Sequence, residues 1–318
     1  MNFKFTVLFF YIFFQFFVKN RHFKSILKVK DFLNAAGGEM TDNERELTPA
    51  EKWERATLAN NFIFYKVMHN NPDICKKLIE ILLERKIDHI VMKQEEELEI
   101  DYGKKGIRMD VYAAGEKEAY NLEMQASDTG ELPERARYYS SVIDVDQLKS
   151  GAQYKDLKDN YIIFICVKDI FHKGLAKYSF ENICHENPEL MLNDRTYKYF
   201  FIAENYDKIL NKEQKAFLKL IVSNSRMSDF TEKLSDYIKD AKHNIQWRRQ
   251  FMDLEREKTY AYNQGLKEGK EEGIKQGIEK QAEESAVKFL NEKISPEVIA
   301  KCVGITLERV LELQKGIK

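Results

Sequence analysis

The sequence predicts a mixed α/β domain in the order helix–strand–strand–strand–helix–strand, with a C-terminal helical extension. Three observations carry this expectation. GIRMDVYAAGEKEAYNLEMQ, residues 106–125, alternates apolar and polar residues on both sides of a short polar turn, as a hairpin does. ELPERARYYSSVIDVDQLKSG, 131–151, reads as a helix, with Pro133 in its first turn, Gly151 at its end and Ala136, Tyr139 and Ile143 along one side. NYIIFICV, 160–167, is a continuous apolar run of strand length, which suits a central strand buried on both faces.

The other elements follow from the same rules. FTVLFFYIFFQFFV, 5–18, is nearly all apolar and is followed by basic VKNRHFKSILKVK. The run is shorter than the ~20 residues that cross a bilayer. Its basic flank follows it and no small-residue cleavage site is present, which is unlike a signal peptide. Met40 opens MTDNERELTPAEKWERATLANN, a polar start to a helical domain. Residues 1–39 are therefore expected to be an upstream extension, with Met40 as the functional initiator. A membrane anchor and a signal sequence are the alternatives. Residues 50–86 carry a helical pattern in which Leu58, Phe62, Tyr65 and Val67 recur, and Pro72 starts a second run. KQEEELEI, 93–100, predicts a strand with an acidic side, and RTYKYFFIA, 195–203, a further one. Within the hairpin, Ile107, Met109, Val111 and Ala113 share one predicted face, as do Tyr120, Leu122 and Met124; the other faces carry Asp110, Glu123 and Gln125.

Beyond residue 210 the pattern is helical, and residues 230–292 are expected to form one long helix. In it Gly265, Gly269, Gly273 and Gly277 recur every four residues. Each step advances about 40°, so the glycines stay on one side. They predict a close helix–helix seam in a homodimer, or else a flexible charged linker. SPEVIAKCVGITLERVLEL, from Ser295, has the outline of a helix-turn-helix, broken and restarted at Gly304 and Thr306. Its acidic start and the lack of a basic second helix argue against DNA reading. The expected divisions are a leader at 1–39, a main α/β domain at 40–225, a long helical tail at 226–292 and a small helical hairpin at 293–318.

Composition bounds the chemistry. The 318 residues are 43% hydrophobic, with 21 Phe and 16 Tyr, so a substantial core is expected. Charged residues make up 32%, yet the formal net charge is only −1, so any nucleic-acid site has to be local. The four cysteines form no CxxC pair. Cys166, His172, Cys184 and His185 cluster loosely, but not at zinc-site spacing. Reduced thiols in a cytoplasmic protein are the expectation.

The hairpin itself implies a chemistry. If its turn centres between Glu116 and Lys117, Asp110 faces Glu123 and Arg108 faces Gln125. Like charges directly opposed destabilise a strand pair, and a divalent cation is one cure. Mg²⁺ takes hard oxygen ligands; a bound ion can activate water and polarise a phosphodiester. Gln125 points the same way as Glu123 and could orient the water or meet a phosphate. The alternative is that Arg108 neutralises acids on a solvated face, and a one-residue shift of the turn would undo the opposition.

An acid on one strand and E-x-Q on the next, within this order of elements, resembles the PD-(D/E)XK nuclease superfamily, whose core is restriction-endonuclease-like, αβββαβ. Its motif usually ends in Lys; here Gln125 stands at that position, a departure some members share. LANNFIFYKVM, KGIRMDVY, YNLEMQ, ELPERARYYSSVID, YIIFICVKDIF and AKHNIQWRRQFMDLEREKTYAY, in this order over most of residues 50–262, resemble the Rpn family of recombination-promoting nucleases, also labelled putative transposases. The resemblance implies a Mg²⁺-dependent DNA endonuclease, with Mn²⁺ as substitute metal, acting in recombination, horizontal gene transfer or mobile elements. It carries catalytic roles to Asp110, Glu123 and Gln125. The metal ligands expected here are Asp110, Glu123 and the Met124 carbonyl, and no organic cofactor is expected. The superfamily often adds a carboxylate from the first helix; Asn61 stands in that region. Arg135, Arg137 and Tyr138, which open the helix after the hairpin, are candidates for DNA phosphate contact, against ordinary surface arginines and a packed tyrosine. Trp247, Arg248 and Arg249 are expected to combine core packing with surface charge. The competing function is a catalytically weak or silent DNA-associated or oligomeric interaction protein.

Overall fold

The computed structural model describes residues 47–93 and 109–317. Three helices come first: α1 (Pro49–Arg55), α2 (Asn61–Asn70) and α3 (Pro72–Leu83). Strands β1 (Val91–Met92), β2 (Val111–Ala114) and β3 (Glu118–Gln125) follow, then α4 (Leu132–Gln147) and β4 (Asp159–Cys166). The chain continues through β5 (Lys177–Phe180), β6 (Thr196–Ile202), α5 (Lys212–Ser223), α6 (Asp229–His243) and α7 (Ile245–Asn291), and ends in α8 (Pro296–Val303) and α9 (Leu307–Gly316). The strands form one sheet in the order β1-β2-β3-β4-β6-β5. The hairpin and the β5–β6 pair are antiparallel, whereas β3, β4 and β6 run parallel. The expected αβββαβ order is present, with β5 and β6 added.

Hydrophobic burial explains the layering. Along β4, Tyr161, Ile163 and Ile165 enter one core, while Ile162, Phe164 and Cys166 enter the other. The run is apolar throughout because both faces are covered. The first core is closed by α2, α3, α5, α6 and the start of α7, through side chains such as Phe64, Leu78, Phe217, Leu234 and Phe251. The second is closed by α4, through Leu132, Ala136, Tyr139 and Ile143. Asn160 ties α4 to β4: its amide donates to the Ser140 carbonyl and to Asp144 Oδ1, both at 2.9 Å. Along β3 the first core receives Tyr120, Leu122 and Met124. The opposite face presents Asn121, Glu123 and Gln125, all buried. Buried polar side chains demand partners, and those partners build the site.

Two expectations change, and one strand is unexpected. The helix expected over 230–292 is two helices. Asn244 leaves helical geometry (φ −72°, ψ 108°) and its side chain accepts from the amides of Gln246 and Trp247. An Asn side chain competes with the helical ladder in this way, and as an N-cap it is worth about 1 kcal/mol. Met109 does not share a face with Val111 and Ala113. It packs in the second core, because pairing begins only at Val111 and the chain bends at Asp110. β5 gave no sequence signal: four residues, half of them exposed, show no periodicity. The leader, most of the 93–100 strand, Ile107 and Arg108 lie outside the described residues. Among the described residues no helix is long and apolar enough to cross a membrane.

The start of α7 is held in the domain by an aromatic cluster. The Phe251 ring lies 5.2 Å from Trp53 of α1 and 5.6 Å from Phe62 of α2. From residue 261 to 281 every residue is exposed. The far end carries a small core of its own, where Ala286 meets Ile299 and Val310 of the terminal hairpin, and Arg309 Nε donates to Glu283 at 2.6 Å. Arg309 also meets Glu312 at 2.8 Å. The one arginine of α9 is thus paired with two acids. Phe251→Ala should cost about 3–5 kcal/mol of stability, read as a lower urea midpoint at unchanged slope; a loss below about 1 kcal/mol would mean that α7 is anchored elsewhere.

Candidate active site

The hairpin register sets the site. Val111 pairs with Leu122 and Ala114 with Ala119, so the turn lies between Glu116 and Lys117 as expected, and one further step places Asp110 opposite Glu123. The two acids are linked reciprocally. The Asp110 backbone amide donates to Glu123 Oε1 at 2.9 Å, and the Met124 amide donates to Asp110 Oδ2 at 2.9 Å. Asp110 thus supplies, from its side chain, the acceptor that β3 would otherwise find on a longer β2. A strand residue presents its N–H and C=O to the same neighbour, so the Met124 carbonyl leaves β3 on the Asp110 side.

Two further groups hold Glu123. Asn121, two residues earlier on the same face, donates from Nδ2 to Glu123 Oε1 at 3.0 Å. Arg135, in the first turns of α4, donates from Nη2 to Glu123 Oε2 at 3.1 Å and from Nη1 to Gln125 Oε1 at 3.0 Å. Its guanidinium also donates to the Tyr139 hydroxyl at 3.1 Å and stacks near the Tyr139 and Phe164 rings. The Gln125 amide donates in turn to the Ser127 carbonyl. Arg135 therefore faces inward, onto the acids. Arg137 is exposed, and Tyr138 packs partly buried against the α4 core. The face is covered rather than solvated: Glu123 is 2% exposed.

On the other side Asp110 opens into a cleft of about 360 Å³. Its walls include Asn61, Tyr65 and Lys66 of α2 and Phe251 and Lys258 of α7. Asn61 thus lies where the superfamily resemblance places a first-helix carboxylate. Among the described residues no group of three or more His, Cys, Asp or Glu side chains is placed to hold a metal, and Asp110 and Glu123 are the carboxylates brought together there. Cys75 and Cys166 are buried free thiols, pushed up to about 12 chiefly by desolvation. Trp247 is half-buried against the core, and Arg248 pairs with Glu54 at 3.5 Å. Asn121, Lys66 and Lys258 were not singled out from sequence. For Asn121 the signal was present, because N-x-E-x-Q puts three polar side chains on one strand face; for the lysines there was none, since the cleft joins distant helices.

Burial, and then the nearby Asp110 charge, push the Glu123 carboxyl well above the usual carboxylate range, against the lowering effects of Asn121, the Asp110 amide and Arg135. An acid with a raised folded-state pKa makes the fold bind a proton that the unfolded chain has lost. Stability is then present at low pH and falls as pH rises above the ordinary value of 4.5 toward the raised one. In EDTA, Glu123→Gln should melt higher than the parent at alkaline pH and close to it at mildly acidic pH. A parallel pair of melting curves across that range would show that Glu123 is not the strained group.

A family model for PD-(D/E)XK nuclease family transposases matches residues 59–268, from the start of α2 to beyond Gly265 in α7. No curated protein and no solved structure gave a match. The matched span is more than half of the chain and contains the paired acids, the E-x-Q strand, α4 and both walls of the cleft. The chain belongs to the PD-(D/E)XK nuclease family transposases.

Proposed function

We propose that this chain is a Mg²⁺-dependent DNA endonuclease that hydrolyses phosphodiester bonds in the cytoplasm, in the service of recombination, horizontal transfer or mobile-element movement. The observation that carries the proposal is the reciprocal Asp110–Glu123 link at the mouth of a cleft. The donor set fits the metal. Two carboxylates and the Met124 carbonyl are hard oxygen donors of the kind Mg²⁺ prefers, and Mn²⁺ accepts the same set. A carboxylate offers roughly four lone-pair positions. Glu123 uses three of them on Asp110, Asn121 and Arg135, which leaves room for one more contact on Oε2. A bound divalent ion would supply Lewis-acid polarisation of the phosphodiester and a water of lowered pKa.

The chain's own residues prepare that chemistry. The Met124 amide fixes Asp110, while Asn121 and the Asp110 amide fix Glu123. Arg135 offsets the negative charge that two acids and a phosphate bring together, and Gln125 holds Arg135 in place. Gln125 acts in this scheme through the guanidinium rather than on water directly. Arg137, exposed on α4, remains a candidate phosphate contact, with Tyr138 beside it. A second function has its own support: Asn61 lines the cleft where an acid would strengthen metal binding, and Gln125 is committed to Arg135 and Ser127. It is a DNA-associated protein with a silent core. Purified protein with Mg²⁺ should nick supercoiled plasmid, and Asp110→Ala should lose at least about two orders of magnitude in rate, comparable to other losses of a transition-state charge stabiliser. Equal nicking by both would place the activity elsewhere. Calorimetry that detects no Mn²⁺ binding, with DNA present or absent, would favour the silent core.

The α7 arm is proposed as the seam of a homodimer. A Cβ added at Gly265, Gly269, Gly273 or Gly277 meets nothing within 4 Å in the single chain. Each glycine nevertheless costs the helix about 1 kcal/mol relative to alanine, which a close approach by a second backbone would offset. Ile274 and Ile278, each 64% exposed, flank this face. Two copies would bring two sites to two DNA strands. Gly269→Leu combined with Gly273→Leu should convert a dimer to a monomer by light scattering. Unchanged mass would leave the arm as a charged linker.

A further inference from the structure

A second hollow lies where α1, α6 and α7 meet. It encloses about 400 Å³, and its walls include Trp53 and Glu54 of α1, Lys239, Lys242 and His243 of α6 and Arg248 of α7. The break at Asn244 makes it, because α6 ends and α7 begins around the same corner. Among the described residues that line it, Lys239, Lys242 and Arg248 accompany one acid, Glu54. Lys242 donates from Nζ to the Glu54 carbonyl at 2.5 Å. A carbonyl carries no net charge, so it positions the ammonium without cancelling it. Arg248 meets the Glu54 carboxylate at 3.5 Å and Lys239 meets Asp236 at 3.0 Å, and all four of these side chains are exposed by 46% or more. Ion pairs as exposed as these are weak, so an incoming phosphate competes with the carboxylates on favourable terms.

The hollow and the active-site cleft lie along one side of α7. Arg248 at the hollow and Phe251, Leu254 and Lys258 at the cleft fall within about 120° of one another around the helix axis. The Trp53 ring, which lines the hollow, lies 5.2 Å from the Phe251 ring, which lines the cleft. From Arg248 to Lys258 the helix rises about 15 Å, close to the rise of about four phosphates along one strand of duplex DNA. We propose that this hollow is a second anchor for the DNA substrate, in which Lys242 and Arg248 donate to backbone phosphates of the duplex whose scissile bond lies in the cleft. Contacts of this kind fix the register and orientation of a duplex without reading its sequence. They concentrate positive charge beside the site in a chain whose formal net charge is only −1. The proposal rests on the DNA-nuclease function above and adds where the duplex runs once it leaves the cleft.

The test is the salt dependence of DNA binding by the full chain, in EDTA so that no cleavage intervenes, with a fluorescein-labelled duplex as probe. Each lost phosphate contact lowers the slope of log K against log salt by about 0.9. Lys242→Gln combined with Arg248→Gln should lower the slope by about 1.8, the loss of two contacts. Lys242→Arg combined with Arg248→Lys should return it to the parent value. Glu54→Gln removes the acid beside both cations and should tighten binding at fixed salt, which a packing role for these residues does not predict. If the double neutral variant melts early, Arg248→Gln alone reads one contact on an exposed side chain. An unchanged slope in a folded neutral variant, or no tightening with Glu54→Gln, overturns the anchor and leaves the nuclease function standing. A parent protein that binds no duplex at low salt overturns the DNA function, and the anchor with it.

Discussion

Two carboxylates are held at the end of one hairpin, one of them buried, and much of the domain is arranged to make that tolerable. Removing a carboxylate from water costs several kcal/mol unless charge and hydrogen bonds compensate. Glu123 obtains compensation from the Asp110 amide, from Asn121 and from Arg135. Each partner imposes a structural demand. The Asp110 amide requires β2 to begin at Val111, so that the preceding residue turns its N–H onto the acid. Arg135 requires α4 to start beside the end of β3, which Leu132 and Ala136 secure by packing on the second core. That same packing closes Glu123 off from water, so the neutralising group and the burial come from one helix.

Much of this arrangement was legible in the sequence because it depends on a period of two and on a turn. GEK between two alternating runs fixes the register within one residue, and with it the opposition of Asp110 and Glu123. The apolar run of β4 and the Pro133 start of α4 were equally local signals. What sequence could not supply is long-range. Which way Arg135 turns depends on the neighbouring Tyr139 and Phe164 rings, and the cleft exists only because α7 returns to α2 across the whole domain. The break at Asn244 was local and still overlooked: K-H-N-I lies inside a periodic apolar pattern, and periodicity hides a cap when the next helix resumes the same face.

The long helix serves two structural purposes, and its composition changes where they meet. Up to Glu255 it belongs to the core, with Phe251 against two aromatic side chains and Glu255 held by Lys52 at 3.0 Å and Lys258 at 3.1 Å. Beyond residue 260 it leaves the domain, and glycine replaces apolar anchors. A 47-residue helix is about 70 Å long, far more than the domain needs for its own packing. The family match ends at residue 268, and beyond it the helix runs on to a hairpin with a separate small core.

The glutamine at position 125 is explained by the same charge balance. A lysine there would have three donors and no acceptor. It could not receive Arg135 Nη1, and it would set an ammonium against a guanidinium on a buried face. A glutamine accepts from Arg135 through Oε1 and donates through Nε2 to the Ser127 carbonyl, so both ends of its amide are used. Gln125 and Arg135 are therefore a coupled choice. The strand gives up a charge and the helix supplies one, delivered to the same carboxylate by a side chain that two aromatic rings and a tyrosine hydroxyl hold in place. The departure from the usual motif relocates the positive charge by ten residues without removing it from Glu123.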